Sequence, residues 1–257
     1  MFLQLDGRSV GYAEIPGDPA GATLVFLHEG LGSVGLWEDF PGRVAEATGM
    51  RTLVYSRFGN GSSDPPPAPH SPAFMHREAR EVLPRLLEAW NVERPLLVGH
   101  SDGASIALIY AAEHAVSALV CIAPHVFVEE KTLAAIREAK ARYEQEDGRK
   151  RMAPHHRDPD AAFYGWNDVW LDPEFASWNI EGLLPAIEVP VLLIQGGEDP
   201  YGTLAQIDSV AARVRGPLQR VILDCRHAPH VQATEETLAV VNRFLAAHGA
   251  RTRAPAR

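Results

Sequence analysis

The stretch between residues 95 and 115 constrains the fold more than any other part of the sequence. Residues 95–98 form an apolar run typical of a buried strand, and residues 104–115 carry apolar side chains at helical spacing. Between these two segments lies Gly99-His100-Ser101-Asp102-Gly103. The sequence therefore predicts a strand and a helix that are joined by one sharp turn, with Ser101 on the turn.

Glycines stand two residues before and two residues after Ser101. A serine on so sharp a turn has a strained backbone, and the strand and helix approach so closely that side chains at Gly99 and Gly103 would clash. The turn raises the hydroxyl above the sheet edge, beside unpaired helix N–H groups that favour an anion. This pattern is typical of a nucleophile elbow. We expect the Asp102 N–H to stabilise a negative intermediate and the helix dipole to favour the Asp102 carboxylate.

Composition limits the class of protein. The 257 residues are 46% hydrophobic and 22% charged, which suffices for one domain, or for one domain with an insertion. The net charge of -9 argues against nucleic acid and anionic membrane surfaces as partners. Cys121 and Cys225 lie in or beside apolar runs and predict buried thiols. Without a membrane-length apolar run or an export signal in this sequence, we expect a cytoplasmic protein.

Strand and helix patterns alternate along most of the chain. An opening hairpin is predicted at residues 2–5 and 10–15. Further strands are predicted at residues 23–27, 52–55, 95–98, 117–123, 191–195 and 220–223, and helices at residues 36–47, 73–90 (with an interruption at Pro84), 104–115, 204–214 and 235–247. This alternation predicts an α/β fold with a doubly wound, mostly parallel sheet. Ser101 then lies at the carboxyl edge of the sheet, where such sheets bind ligands.

The alternation stops between residues 126 and 185. This segment holds a charged amphipathic helix, a turn rich in proline and histidine, and three tryptophans. The predicted helix has Leu133, Ile136, Lys140 and Tyr143 on one stripe. We interpret residues 126–185 as a helical cap inserted into a core domain of residues 1–125 and 186–257. The tail at residues 251–257 is expected to fray.

Candidate partners for Ser101 follow two later strands. A serine nucleophile needs a base, and the base needs an acid that orients it. Gly196-Gly197-Glu198-Asp199 follows the strand at residues 191–195, and His227 follows the strand at residues 220–223. The chain order is therefore serine, acid, histidine.

With these motifs the chain resembles the α/β-hydrolase fold superfamily, in its capped serine hydrolase branch, over nearly its whole length. The resemblance implies that Ser101, Asp199 and His227 form the catalytic triad. Glu198 and His230 are the neighbouring alternatives for acid and base. One departure is that Arg226 precedes His227, where the superfamily usually has glycine.

The second half of the oxyanion hole is predicted after the strand at residues 23–27. His28-Glu29-Gly30-Leu31-Gly32-Ser33 resembles the His-Gly-x-x-Gly loop of the superfamily, with Glu29 in the position of the first glycine. By this resemblance Gly30 supplies one N–H and Asp102 the other. Glu29 either shifts the turn or places a carboxylate near the pocket.

Other polar and aromatic residues are candidates for binding rather than catalysis. His155-His156-Arg157-Asp158 does not have the spacing of a standard zinc site, so we expect a solvated surface turn, no metal and no cofactor. Aromatic residues of the cap could line an apolar pocket or simply pack the cap. The candidate pocket residues are Glu29, His125, Phe127, Trp166, Trp170 and His230.

The resemblance implies a cofactor-independent serine hydrolase that cleaves an ester of a small to medium, partly apolar substrate through an acyl-enzyme. Hydrolases of carbon–carbon bonds in aromatic ring-cleavage products, lactonases and perhydrolases share the fold and triad, so these activities stay open. A hydrolase-fold ligand receptor with slow turnover is an alternative of another class. The expected partner is a small molecule, with neither nucleic acid nor membrane, and the chain is expected to be a monomer or homodimer.

Overall fold

The computed structural model describes residues 1–248, apart from the side chains of residues 19 and 20. Strands and helices alternate along these residues as the sequence predicts, and the expected fraying of residues 251–257 lies outside them. The strands are β1 Phe2–Leu5, β2 Arg8–Ile15, β3 Asp18–Leu27, β4 Met50–Tyr55, β5 Leu96–His100, β6 Ala118–Ile122, β7 Val191–Gly196 and β8 Leu218–Leu223.

The helices lie between and after the strands along the chain, and three of them follow one another between β6 and β7. The α-helices are α1 Phe40–Thr48, α2 Phe74–Arg77, α3 Leu83–Ala89, α4 Asp102–Glu113, α5 Glu130–Gln145, α6 Gly148–Met152, α7 Pro159–Trp170, α8 Ala205–Arg213, α9 Pro229–Gln232 and α10 Thr234–His248. Short 3-10 turns lie at Val34–Trp37, Pro173–Ser177 and Leu184–Ala186.

The strands form one sheet in the order β1-β2-β4-β3-β5-β6-β7-β8. β1 and β2 pair in antiparallel orientation, as do β2 and β4. Every pair from β4 through β8 is parallel. This confirms the predicted doubly wound, mostly parallel α/β sheet. Because the parallel strands share one carboxyl edge, the loops after β3, β5, β7 and β8 meet there.

Apolar clusters cover both faces of the sheet. Along β3 the buried side chains alternate, with Val25 and Leu27 in one cluster and Leu24 and Phe26 in the other. Helix α4 packs on the first face, and helices α1 and α10 on the second. A parallel sheet covered on both faces needs apolar side chains in both directions, which explains why the central strands appear as continuous apolar runs.

The interruption predicted at Pro84 takes the form of a wide helical turn. Helix α2 continues through a π-helical segment at Glu78–Val82 into α3. A proline has no backbone N–H, and its ring clashes with the carbonyl four residues earlier. A π-helical segment directly before α3 provides extra backbone space, so the helical run continues past Pro84.

The segment between β6 and β7 folds into helices α5, α6 and α7. Tyr143 of α5 stacks on Phe163 of α7, with ring centroids 3.8 Å apart. The buried stripe of α5 differs from the predicted one, because it contains Thr132, Ala135, Ile136 and Tyr143. The ammonium group of Lys140 instead pairs with an exposed carboxylate on α7.

The expected solvated turn at residues 155–158 is wrong for His156. This side chain is only 4% exposed. Its Nδ1 accepts a hydrogen bond from the Gly61 N–H at 3.1 Å, and its Nε2 donates to the Leu31 carbonyl at 2.9 Å. His156 therefore connects the helical segment to two loops of the sheet edge, a contact that local sequence does not reveal.

Helices with the length and hydrophobicity required to span a bilayer do not occur among residues 1–248.

Candidate active site

Ser101 lies on the predicted turn between β5 and α4. Its backbone has φ 53° and ψ -120°, a conformation that side-chain-bearing residues rarely adopt. A Cβ at Gly99 would overlap the Gly103 carbonyl, and a Cβ at Gly103 would overlap the Leu27 carbonyl of β3. The glycines on both sides of Ser101 are therefore needed for close packing of strand and helix, as expected from the motif.

The structure brings the three residues of the predicted triad together. Nε2 of His227 lies 2.9 Å from Oγ of Ser101, and Nδ1 of His227 lies 2.7 Å from Oδ2 of Asp199. Both are hydrogen-bonding distances. The His227 imidazole therefore joins the serine hydroxyl to a buried carboxylate.

Asp199 is 1% exposed, and its carboxylate accepts several hydrogen bonds. Besides His227, the side-chain amide of Gln195 donates to Oδ2 at 2.6 Å and the Tyr201 N–H donates to Oδ1 at 2.8 Å. Burial raises the pKa of the Asp199 carboxyl, but the bonds from His227 and Tyr201 outweigh burial and hold this pKa below its usual value. Asp199 is thus kept as a carboxylate. The alternative acid, Glu198, is exposed.

The loop after β3 is held rigidly at the sheet edge. Nδ1 of His28 contacts the Glu29 carbonyl at 2.6 Å, and its Nε2 accepts the Arg57 N–H at 3.0 Å. The Arg57 guanidinium donates to the carbonyls of His28 and Glu29 at 2.5 and 2.9 Å. These bonds fix the backbone around Gly30, which faces the same cavity as Ser101.

Asp102 is the first residue of helix α4, directly after Ser101, so its N–H has no partner within the helix. Its carboxyl is 1% exposed, and Oδ1 accepts the Trp170 indole N–H at 3.3 Å. Burial raises the pKa of this carboxyl to about 6. The net effect of the site therefore opposes the charged form that we expected the helix dipole to favour, and desolvation is the largest cause.

A cavity of about 170 Å³ opens beside the Ser101 hydroxyl. Four of the predicted pocket residues line it, namely Glu29, His125, Trp166 and Trp170, and Gly30, Asp102 and His227 line it as well. Helices α5 and α7 therefore contribute to the same cavity as the loops of the sheet edge.

Phe127 and His230 do not line this cavity, which corrects two of the predicted pocket residues. Phe127 pairs through its backbone with Asn179. The His230 ring instead packs against Trp37 and His100, with ring centroids 4.8 and 4.7 Å apart. His230 lies in the short helix α9, whereas His227 precedes this helix, and the His230 side chain is buried in the core.

Sequence reasoning missed several residues of the site. Tyr201, Thr132 and Ile136 line the cavity, and Gln195 supports Asp199. Gln195 is the penultimate residue of the buried strand β7, four residues before Asp199, and a polar side chain in such a position is a usable signal. Tyr201 and Thr132 come from segments whose meeting depends on the tertiary fold. Among residues 1–248, groups of three or more histidine, cysteine or acidic side chains that could hold a metal do not occur.

Comparisons with known proteins agree with this fold. The human and mouse proteins named serine hydrolase BPHL are each 25% identical to the chain over 201 residues, covering 73% of this chain. The chain spans 66% of the length of these curated relatives, slightly under two thirds.

Solved structures show the same architecture. The enol-lactonase from Burkholderia xenovorans LB400 superposes with a TM-score of 0.75 at 18% identity, over 96% of this chain and all of that one. A structure from work on carboxylesterases of the thaumarchaeon Nitrososphaera gargenis superposes on this chain with a TM-score of 0.76 at 21% identity. The superposition covers 96% of this chain and 98% of that one.

A family model places the chain more firmly than these distant relatives do. The model described as the alpha/beta hydrolase family matches residues 24–240, which is more than half of the chain. The matched range begins in β3, extends into α10 and includes Ser101, Asp199 and His227. This chain belongs to the alpha/beta hydrolase family.

Proposed function

We propose that the protein is a serine hydrolase that cleaves carboxylic esters of small to medium, partly apolar substrates through an acyl-enzyme. The observation that carries this proposal is the unbroken hydrogen-bond chain from Ser101 through His227 to Asp199, at 2.9 and 2.7 Å. This chain gives a weak nucleophile an adjacent base and gives the base an orienting carboxylate.

In the first half-reaction the Ser101 hydroxyl oxygen attacks the ester carbonyl carbon while Nε2 of His227 takes the hydroxyl proton. The Asp199 carboxylate stabilises the imidazolium that forms. The N–H groups of Gly30 and Asp102 donate to the tetrahedral oxyanion. The imidazolium then protonates the leaving alcohol, and the acyl group stays on Ser101.

In the second half-reaction water attacks the acyl-enzyme. His227 takes a proton from this water, a second oxyanion forms at the same N–H groups, and collapse of the intermediate returns the proton to Ser101. The carboxylic acid product leaves. Every proton in this cycle passes through Nε2 of His227.

The size and lining of the cavity support a small or medium acyl group. A protein cavity of about 150 Å³ holds a benzene molecule. The cavity beside Ser101 has about 170 Å³ and is partly lined by Trp166, Trp170 and Ile136. Lactones are cyclic esters and can follow the same steps, so they belong in any substrate panel.

We also propose that residues 126–185 act as a cap over the site. Thr132, Ile136, Trp166 and Trp170 from this segment line the cavity next to Ser101. Such an arrangement keeps bulk water from most of the acyl group and leaves substrate size to be set by the helices.

The decisive test is Ser101→Ala, assayed with short-chain p-nitrophenyl esters. Turnover should fall by about 10⁴-fold or more, because loss of the nucleophile disables the whole triad. Circular dichroism should show an unchanged fold. Ser177→Ala, at an exposed serine of the same chain, is the matched control and should keep full activity. Undiminished turnover by the Ser101 variant would contradict the proposal.

A further inference from the structure

His100 is a buried titratable residue to which the acyl-transfer steps give no role. It ends β5, directly before Ser101, and its side chain is 3% exposed. Nε2 of His100 lies 2.8 Å from the backbone carbonyl oxygen of His227. A carbonyl oxygen only accepts hydrogen bonds, so Nε2 is protonated and its N–H donates a hydrogen bond to this oxygen.

The other ring nitrogen of His100 faces Glu29. Nδ1 lies 3.5 Å from Oε2 of Glu29 and makes no hydrogen bond to another described residue. If Nδ1 had no proton, its lone pair would be directed at a carboxylate. A proton on Nδ1 converts this repulsive contact into an ion pair.

Three imidazoles lie near the Glu29 carboxylate, and their contacts indicate which one can act as its counterion. Burial raises the pKa of the Glu29 carboxyl, but the nearby imidazoles, His100 above all, hold this pKa below its usual range. His28 has both nitrogens in use, toward the Glu29 carbonyl and the Arg57 N–H. Burial lowers the pKa of His230 to about 3, so this ring is neutral. His100 remains as the imidazole that can carry the balancing charge.

We propose that the buried His100 and the partly exposed Glu29 form an imidazolium–carboxylate pair that positions the main chain of His227 for proton transfer. The pair joins three loops of the site, because Glu29 precedes Gly30, His100 precedes Ser101, and the carbonyl that His100 holds belongs to His227 itself. His100 and Glu29 are positioning residues. This inference rests on the proposed serine hydrolase function.

The charge balance of the site supports such a pair. The rings of His100 and His227 have centroids 5.0 Å apart, so an isolated imidazolium at His100 would oppose the imidazolium that forms on His227 during acyl transfer. The Glu29 carboxylate offsets that repulsion. Asp102, the other acid near this cluster, has its pKa raised by burial and its Oδ1 engaged by Trp170, so it is less suited to the role.

The loop leaves room for the Glu29 carboxylate at one specific point. A Cβ at Gly32 would overlap Oε2 of Glu29, so glycine at this position allows the side chain to fold back toward β5. The Gly32 N–H also donates to the Glu29 carbonyl at 3.1 Å, which closes the turn. Glu29 therefore occupies a place that the local backbone provides for it.

The kinetic test compares Glu29→Leu, Glu29→Gln, His100→Leu and the double variant Glu29→Leu/His100→Leu. We expect each leucine variant to lower kcat by about 10- to 100-fold with little change in KM, as for other residues that orient a reacting group. Glu29→Gln should keep most of the activity, since its amide N–H can donate to Nδ1 of a neutral His100. The double variant should be no slower than the slower single variant.

The protonation state of His100 is measured separately, by NMR of protein labelled with ¹⁵N-histidine near neutral pH. We expect both ring nitrogens of His100 to be protonated in the wild type and only one in Glu29→Gln, with the resonance identified from its loss in His100→Leu. A neutral His100 ring in the wild type would overturn the inference. Additive losses in the double variant, or changes confined to KM, would overturn the positioning role.

Labelling by a fluorophosphonate separates failure of this inference from failure of the proposed function. If wild type and Ser101→Ala react alike with the probe, the serine hydrolase proposal fails, whatever the NMR shows. If the wild type is labelled and Ser101→Ala is not, the serine hydrolase proposal stands. If Glu29→Leu and His100→Leu are then labelled at the wild-type rate, the positioning role of the pair fails.

Discussion

Asp102 illustrates how a single residue of this site combines a useful backbone with an unfavourable side chain. Its N–H is free because it begins α4, and the same position buries its carboxyl against Trp170. Burial raises the pKa of Asp102 from 3.8 to about 6. A raised pKa means that the folded protein binds this proton more tightly than the unfolded chain does, so ionisation of Asp102 costs stability.

The pH dependence of stability tests this burial. Below about pH 4 the carboxyl is protonated in both the folded and the unfolded state and does not lower the free energy of unfolding. The loss of stability grows between about pH 4 and pH 6 and stays constant above. Asp102→Asn removes the charge and keeps the acceptor for Trp170. Its free energy of unfolding should therefore exceed that of the wild type by about 1–3 kcal/mol at about pH 8 and by much less at about pH 4.

Chemical denaturation at both pH values provides the measurement for Asp102→Asn. Asp39→Asn is the matched control, because Asp39 also stands at a helix start but is exposed, and its stability difference should not depend on pH in this way. A gain for Asp102→Asn that is equal at both pH values would contradict the burial argument.

At the scale of elements, the site depends on how closely helix α4 approaches strand β3. Gly103 allows this approach because its α-hydrogens face the Leu27 carbonyl, with no room for a methyl group. The resulting contact brings the first turn of α4 next to the loop that contains Gly30. Glycine is usually unfavourable inside a helix, so its presence here reflects packing rather than helix propensity.

Two glycine-to-alanine changes within helices should consequently have opposite signs. Gly103→Ala should destabilise the protein by about 3 kcal/mol or more, since backbone atoms must move apart, and should abolish ester turnover. Gly42→Ala, in α1 where a Cβ meets nothing within 4 Å, should stabilise it by about 0.5–1 kcal/mol. Thermal and urea unfolding measure both. A neutral Gly103→Ala would show that the helix–strand contact is not tight.

For the whole molecule, the cavity beside Ser101 is formed only when the helices between β6 and β7 meet the sheet edge. Trp166 of α7 packs so closely on the loop after β3 that a Cβ at Gly30 would overlap its indole ring. The start of α5 also contacts the acid loop, where Nζ of Lys131 donates to the Asp199 carbonyl at 2.5 Å and the Thr132 hydroxyl donates to the Tyr201 carbonyl. The size of the cavity and the position of Asp199 therefore depend on the same segment.

The substrate range should depend on Trp166. The wild type is expected to prefer short p-nitrophenyl acyl chains over long ones, because the cavity has only about 170 Å³. Trp166→Leu should shift this preference toward longer chains by enlarging the cavity. Trp178→Leu changes a tryptophan of the same segment that does not line the cavity and should leave the preference unchanged. An unchanged profile for Trp166→Leu would contradict this placement of the acyl group.

The sequence alone determined the order of strands and helices, the parallel sheet, the strained turn at Ser101 and the need for glycine at Gly99 and Gly103. These features follow from periodicity and backbone sterics, which act over a few residues. The candidate triad was also predictable, because each of its members lies within four residues of the end of a strand and the strand ends share one edge.

Only the tertiary structure decided what each of these residues touches. In the folded chain the carboxyl of Asp102 and the ring of His156 are buried. Phe127 and His230 do not line the cavity, whereas Tyr201 does. The tertiary structure also placed His100 against the carbonyl of a residue 127 positions away, with Glu29 on its other side. Desolvation and ion pairing depend on distances between segments remote in the chain, and no local pattern of residues encodes those distances.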